Sequence, residues 1–378
     1  MKIIMVVRKN FYELGGGDRI QVLKTKEALE KRGHTITIVT SYPRNLDSCD
    51  ILHLFNMMLA PHAYLLYTLY MHAARKPVAL STIYWNPGEW LAHAEDEGFP
   101  VAIKAGERNN RFDGIPLWRV IWGLIRFTRM RRWLWLSVRY RNSGLASTYI
   151  RKTLVSEVDI ILPNGQSEAE SVQNDFAKAK QVAVIPNGVD DAFASARPDN
   201  FIKRYGKKDF VLHVGRIETR KNLIALVQAV NSLGLALVVI GNDTHDPTYT
   251  AAVKAAAPID TLFIPELPHD QLGAAYKAAK VHALASWFET PGLSSLEAGL
   301  AGCNIVSTDR GTTKEYFQDM AWYCDPSDRK SIKQAISEAY AAPKSTKLRE
   351  RILAHYTWNT VAEATEAAYK RIISGELV

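Results

Sequence analysis

Cysteine is scarce in this chain: Cys49, Cys303 and Cys324 are the whole complement of its 378 residues, far apart and without metal-ligand spacing. That excludes a disulfide-stapled secreted scaffold and a cysteine-built zinc site, and it fits a reducing cytoplasm. Cys303 and Cys324 fall in or beside apolar strands, where a thiol is buried as a small hydrophobe. Long apolar runs are missing too. No stretch approaches the roughly 20 residues that cross a bilayer. The run Met1-Lys2-Ile3-Ile4-Met5-Val6-Val7 is too short for a signal peptide and reads as a first strand. Neither an internal repeat nor a low-complexity segment is evident. The most local absence is of acid. No Asp or Glu occurs between Asp113 and Glu157, an interval holding Arg119, Arg126, Arg129, Arg131, Arg132, Arg139, Arg141, Arg151 and Lys152, with Trp118, Trp122, Trp133 and Trp135 interleaved. The net charge of +8 is concentrated there, and such a segment seeks an anionic partner.

With 47% hydrophobic and 23% charged residues the composition is that of a soluble globular protein. The length exceeds one typical core, so two domains are expected. Strand and helix patterns alternate from end to end. Strands are predicted at 2–7, 35–40, 50–54, 78–83 and 158–162, with helices at 18–32 and 61–74 between them. After Pro186-Asn187-Gly188 the alternation restarts, with strands at 210–214, 235–240, 261–264, 281–285, 304–307 and 320–324. Helices fit at 219–231, 247–256, 268–278, 292–301 and 327–341. Short apolar strands alternating with helices imply α/β domains, each a parallel sheet covered on both faces. Two such series imply two doubly wound, Rossmann-like domains with their sheets facing a central cleft. The expected division is 1–182, including the basic aromatic segment 113–156, then 183–357, then a final helix over 358–378 packing back on the first domain.

One stretch concentrates chemistry, Ser286-Trp287-Phe288-Glu289-Thr290-Pro291-Gly292-Leu293-Ser294-Ser295-Leu296-Glu297. It follows the apolar strand Val281–Ala285, turns at Pro291-Gly292 and enters a small-residue helix. The first N–H groups of that helix lack partners and suit a phosphate. A carboxylate at the mouth, Glu289, and another within about two turns, Glu297, would repel phosphate unless their oxygens accept from hydroxyls. Sugar and ribose hydroxyls are such donors. Glu in the early turns of a helix also arises simply because it complements the dipole, so the rest of the chain must decide.

Two further places bear on it. Gly15-Gly16-Gly17 ends the first strand and opens a helix, letting a ligand approach the backbone closely; a loop needing positive φ is the plainer reading. A nicotinamide site is weak here, because the G-x-G-x-x-G spacing is absent and Val39-Thr40-Ser41 offers no acid at the end of the second strand. Val211-Leu212-His213-Val214-Gly215-Arg216 is a strand closed by Gly and Arg, with Lys221 following. Cations at a helix start oppose its dipole, so their presence at a strand's C-terminal end argues for a diphosphate ligand.

Together these pieces resemble the retaining glycosyltransferases of the GT-B fold, specifically glycosyltransferase family 4. The resemblance covers nearly the whole chain and is strongest from Ile185 to Phe317. It rests on Pro186-Asn187-Gly188-Val189-Asp190 between the domains, Gly215-Arg216 with Lys221, Glu289 through Glu297, the glycine loop, Gly311 with Glu315, and Tyr356-Thr357-Trp358. The resemblance implies that Glu289 binds the transferred sugar and Glu297 the ribose. Gly292, Leu293 and Ser294 would offer N–H groups. Arg216 and Lys221 would hold the diphosphate, with Gly16 and Gly17 on the other wall. It implies a nucleotide-sugar co-substrate, no metal or other cofactor, and a glycan or lipid-linked acceptor.

One departure stands out. Family members often carry a His near the end of the fourth strand, where this chain has Tyr84, a side chain that titrates near 10 and is a poor acid or base at neutral pH. Tyr84 is therefore taken as a candidate sugar or acceptor contact, as is His53, read as ending another strand. The basic aromatic segment Pro116–Arg141 suits an anionic membrane surface, with rings at headgroup depth and cations on phosphates. That would make the protein peripheral at the inner face of the membrane. Nucleic acid is not expected, since no binding module accompanies the charge. A non-catalytic nucleotide-sugar binder and a phosphorylase remain alternatives, the latter lacking an arguable pyridoxal-binding lysine.

Overall fold

In the computed structural model the residues described are 1–13, 15–40, 46–99, 144–242 and 246–375. Pro116–Arg141, the candidate membrane segment, lies outside them. Among the described residues eleven strands form two all-parallel sheets. The strands are β1 (Lys2–Val6), β2 (Thr35–Val39), β3 (Ile51–Phe55), β4 (Val78–Ser81), β5 (Ile160–Ile161), β6 (Val211–Val214), β7 (Leu237–Ile240), β8 (Leu262–Ile264), β9 (Val281–Leu284), β10 (Asn304–Thr308) and β11 (Trp322–Cys324). The described helices, in order, are α1 (Gly17–Lys31), α2 (Pro61–Ala73), α3 (Gly88–Asp96), α4 (Gly144–Glu157), α5 (Gln166–Asp175), α6 (Asp199–Tyr205), α7 (Leu223–Ser232), α8 (Pro247–Ala256), α9 (His269–Ala278), α10 (Leu293–Ala301), α11 (Thr313–Phe317), α12 (Arg329–Ala341), α13 (Lys347–His355) and α14 (Trp358–Ser374).

The chain divides into two compact units. Met1–Tyr84, Ala102–Pro186 and Val361–Val378 make the first; Trp85–Val101 and Asn187–Thr360 make the second. The expected division therefore needs a correction at Trp85–Val101, which was placed in the first domain. Its aromatic face is the reason: Phe99 packs on Tyr249 at 5.1 Å and His93 on Trp287 at 4.4 Å.

Within the first unit the sheet order is β2-β1-β3-β4-β5. Strand order reverses between β1 and β3, so the glycine loop after β1 emerges at a switch point, where open α/β sheets take their ligands. Leu52, Leu54 and Leu80 turn to one face and pack against Tyr64 and Leu65 of α2 and Leu154 of α4. The other face meets α14, whose Tyr369 reaches His53.

In the second unit the order is β11-β10-β9-β6-β7-β8, with the reversal between β6 and β9. Successive side chains alternate across each strand, so both faces are apolar. Leu212, Val238 and Ile305 join Leu296 and Leu300 of α10 on one side, while Val211, Val239 and Ala283 join Leu226 and Val230 of α7 and Ile332 and Ile336 of α12 on the other. The two loops that leave the sheet at this reversal carry Arg216–Lys221 and Ser286–Gly292.

Candidate active site

The backbone brings these two loops against a third. Gly241, at the end of β7, lies so close to Gly215 that an added Cβ would sit 1.8 Å from the Gly215 carbonyl oxygen. Gly311, with φ +93, lies against Glu289 in the same way, its Cβ position 1.9 Å from the Glu289 oxygen. Only glycine permits such approaches, which explains Gly241 and, among the glycines of the resemblance, Gly311. Glu289 bridges Gly311, and its carbonyl accepts from the Thr312 N–H at 3.0 Å.

The carboxylate so placed is 5% exposed and accepts from Lys221 Nζ at 2.5 Å. Arg220 Nη1 stands 3.6 Å from the same oxygen and donates to the Phe288 carbonyl at 3.0 Å. Arg220 Nε in turn donates to Glu218 Oε1 at 3.2 Å, and Arg216 lies 3.3 Å from Glu218. Three cations thus face two carboxylates. Burial pushes the Glu289 carboxyl up, but Lys221 and Arg220 outweigh it and hold the group down at about 2. Burial pulls the Lys221 ammonium below its ordinary range, with Glu289 opposing. The pair is ionised and holds itself together. Sequence reasoning missed Arg220 and Glu218; the acid followed closely by two cations in Glu218-Thr219-Arg220-Lys221 was the available signal.

The helix α10 supplies the other half of this chemistry. Gly292 precedes it with φ +87, and its Cβ position is 3.1 Å from Leu284 Cδ1, so both conformation and space demand glycine. Gly292, Leu293 and Ser294 sit where N–H groups have no partner within the helix, and Ser294 Oγ anchors the end by donating to the Val214 carbonyl at 3.0 Å. The N-terminus of α7 contrasts with it. There the Leu223 and Ile224 N–H groups donate to the Tyr249 hydroxyl at 2.8 and 3.3 Å, which fills that end with protein. Asn187 Oδ1 and Thr312 Oγ1 are buried without a hydrogen-bond partner among the described residues. Both belong to residues bonded to the Glu289-Thr290 backbone. Glu297, one turn into α10, accepts from the Tyr276 hydroxyl at 2.7 Å; burial raises its carboxyl to about 7.

Asn-Gly at 187–188 has a local reason. The Asn187 N–H donates to the Tyr316 hydroxyl at 2.7 Å, and a Cβ at Gly188 would meet the Trp358 nitrogen at 2.8 Å. Tyr356 stacks on Tyr316 at 4.6 Å. The residues matched in Tyr356-Thr357-Trp358 therefore brace the segment that holds Thr290.

Gly16 and Gly17 belong to the first unit. Gly16 has φ +150, and its Cβ position is 2.9 Å from Asp18 Oδ1. Arg8 pairs with Asp18 at 3.1 Å and donates to the Gly15 carbonyl at 3.4 Å, fixing the loop from behind.

Two candidates are corrected. His53 lies inside β3, 1% exposed, with Nδ1 bonded to the Tyr369 hydroxyl at 2.6 Å and Nε2 to the Ser81 hydroxyl at 2.9 Å. Burial pushes its ring down to about 3; it is a neutral core histidine. Tyr84 is buried as well. Its N–H donates to Glu168 at 3.0 Å, its hydroxyl to Asp175 at 2.5 Å, and its ring packs on Phe176. Both ring nitrogens of His53 are engaged within the core, and the Tyr84 hydroxyl proton is committed to Asp175.

Residues 197–354 match the family described as glycosyl transferases group 1. That segment contains the Glu289–Lys221 pair, α10 and Gly311. The match takes in under half of the chain. Over part of its length the chain is similar to a glycogen synthase of Mycobacterium tuberculosis, 29% identical over 244 residues; the match takes in 60% of this chain and 58% of that protein. It thus spans under two thirds of that relative's length. In fold it is similar to sucrose-phosphate synthase from Thermosynechococcus elongatus (TM-score 0.71, 16% identity, 99% of this chain and 100% of that one). It is similar also to Anabaena HepE in complex with UDP-glucose (TM-score 0.64, 13% identity, 99% and 98%). The fold is GT-B, as the resemblance implied. The matched segment holds Arg216, Lys221, Glu289, Gly292, Leu293, Ser294 and Glu297, while the glycine loop, Pro186–Asp190, Tyr356–Trp358 and the two corrected residues lie outside it.

Proposed function

We propose that this chain is a retaining glycosyltransferase. It would move a sugar from a nucleoside diphosphate donor, UDP- or GDP-linked, to a glycan or lipid-linked saccharide acceptor in cell-surface polysaccharide or glycolipid synthesis. The observation that carries this reading is the buried Glu289–Lys221 ion pair at the strand-order reversal, beside the uncapped N-terminus of α10. A donor diphosphate there meets Lys221, Arg216, Arg220 and the α10 N–H groups. Lys221 then shares its hydrogens between phosphate and Glu289, which frees Glu289 lone pairs for sugar hydroxyls. As the bond from the anomeric carbon to the diphosphate oxygen breaks, the charge growing on that oxygen is met by cations already in place. The acceptor hydroxyl attacks from the face the leaving group departs, its proton passing toward the departing oxygen, and the anomeric configuration is kept. Because these cations carry the diphosphate charge, the reading assigns no metal.

Similarity to a protein named glycogen synthase and to a neighbour solved with UDP-glucose supports the donor class. The reading places the enzyme in the cytoplasm, docked on an anionic membrane through Pro116–Arg141. Among the described residues no helix is long and apolar enough to cross a membrane. Thermal-shift screening against UDP- and GDP-sugars, followed by turnover with the best donor, tests the function. Donor-dependent release of nucleoside diphosphate with product of unchanged anomeric configuration is expected. Binding without release or transfer would make the chain a nucleotide-sugar binder, and inverted product would remove the retaining assignment.

A further inference from the structure

Helix α3 is poorly explained as packing. It has nine residues, of which only Ala94 is buried, and it stands on Asn86-Pro87, where Asn86 Oδ1 accepts from the Gly88 N–H at 2.9 Å. Its contacts nonetheless converge. Trp90, His93 and Ala94 share one face by their i, i+3, i+4 spacing. Trp90 Nε1 donates to Thr219 Oγ1 at 3.2 Å, and its ring meets Phe288 edge-on at 6.3 Å. His93 lies on Trp287 at 4.4 Å. Glu89 takes a two-pronged pair from Arg310, Nε at 3.1 Å and Nη2 at 3.0 Å. Each of these contacts lands beside a charged member of the site or its backbone support. Thr219 lies between Glu218 and Arg220. Phe288 precedes Glu289 and carries the Arg220 guanidinium over its ring at 5.2 Å. The Arg310 carbonyl accepts from the Glu289 N–H at 3.4 Å. Farther along, Phe99 supports Tyr249, whose hydroxyl caps the helix that follows Lys221.

We propose that α3 is a positioning brace for the donor site, with Trp90 and Glu89 as positioning residues that hold Glu289 against Lys221. The inference rests on the transferase reading of that site. The brace works by restricting loops rather than by stability, since exposed ion pairs such as Glu89–Arg310 contribute little to folding. Restriction matters because displacing a reacting group by about 1 Å costs on the order of 100-fold in rate. Trp90 touches the sugar-binding side through Phe288 and the diphosphate side through Thr219, so it ties the two sets of site residues to one element.

Full-length wild type, Trp90→Ala, Trp90→Phe and Glu89→Gln are compared in donor turnover with the UDP- or GDP-sugar that the wild type uses, and by hydrogen exchange. Trp90→Ala is expected to lower kcat about 10- to 100-fold with donor KM within about threefold. Trp90→Phe, which keeps a ring, should recover most of the loss, and Glu89→Gln should show a smaller fall in kcat. Exchange of the Trp287, Glu289 and Thr312 amides should quicken in Trp90→Ala and Glu89→Gln while β7 is unchanged. Wild-type kcat and exchange in both variants overturn the brace, as does a loss confined to KM. Should Trp90→Ala fail to fold, the exposed Glu89→Gln decides. If the wild type neither binds UDP or GDP nor turns over a donor, the transferase reading fails, and the exchange result alone still decides whether α3 holds the loop.

Discussion

Each unit buries a carboxylate near the end of a strand, and the two are satisfied in opposite ways. Glu168 of the first unit is fully buried and accepts from the Tyr84 N–H, the Asn164 N–H and the Thr82 hydroxyl. Glu289 of the second accepts chiefly from the side-chain cations Lys221 and Arg220. Backbone donors cannot leave without unfolding the loop, so Glu168 ties β4 to the start of α5 permanently. Lysine and arginine stems can turn, so the partners of Glu289 can be shared with an arriving ligand. A buried carboxylate reports function when its partners are exchangeable; when they are main-chain amides, it reports architecture.

The contrast can be broken first at Glu289. Glu289→Gln is expected to reduce donor turnover roughly 100- to 1000-fold in steady-state assays, the scale of losing one preorganised electrostatic contact. It leaves Lys221 buried without its counter-charge, a cost of about 3 kcal/mol in a urea titration. Glu168→Ala should behave differently. It strands three buried donors, so unfolding free energy falls by about 3 kcal/mol or more, while the protein that remains folded turns over donor at close to the wild-type kcat.

Glu297 lies between these extremes. Its carboxyl is raised to about 7, so the proton is held more tightly in the folded chain than in the unfolded one. The native state therefore loses stability as pH rises from the ordinary carboxyl range through 7. Glu297→Gln should be the more stable protein at pH 8, by about 2–3 kcal/mol, with the difference fading by pH 4. Ribose hydroxyls need the ionised acceptor, so donor affinity should strengthen about tenfold from pH 6 to 8, and the glutamine variant should lack that rise in a calorimetric titration. The smallest effect is expected at Tyr84. Tyr84→Phe removes only the bond to Asp175, about 1 kcal/mol of stability, and kcat should stay within about twofold. A tenfold loss would return Tyr84 to the site.

Much of this was legible beforehand. Every described strand lies within or next to a segment read from apolar runs, because a strand covered on both faces is built mainly from apolar residues. The elements 286–302 and 211–221 were legible from their own order of strand, glycine and charge. The misjudged residues were those whose partners are remote. His53 meets Tyr369 from 316 positions away and Tyr84 meets Glu168 from 84; sequence places a side chain near a strand end but not the group waiting for it. Helix α3 escaped notice because its one buried residue leaves almost no hydrophobic period. Arg220 was obscured by its neighbour Lys221, since adjacent cations cannot be ranked until a fold aims them.

By itself the sequence determined the two α/β series, the glycines at 215, 292 and 311, and the pairing of carboxylates with cations that makes a sugar-diphosphate site the natural reading. Those depend on local propensity and spacing, which neighbouring residues settle among themselves. Only the tertiary structure decided that Lys221 and Glu289 neutralise each other, that Tyr249 closes one helix end while another stays uncapped, and that Trp85–Val101 belongs with the second unit. Each of those is a contact between segments far apart in the chain, and its energy depends on a distance that only the folded backbone sets.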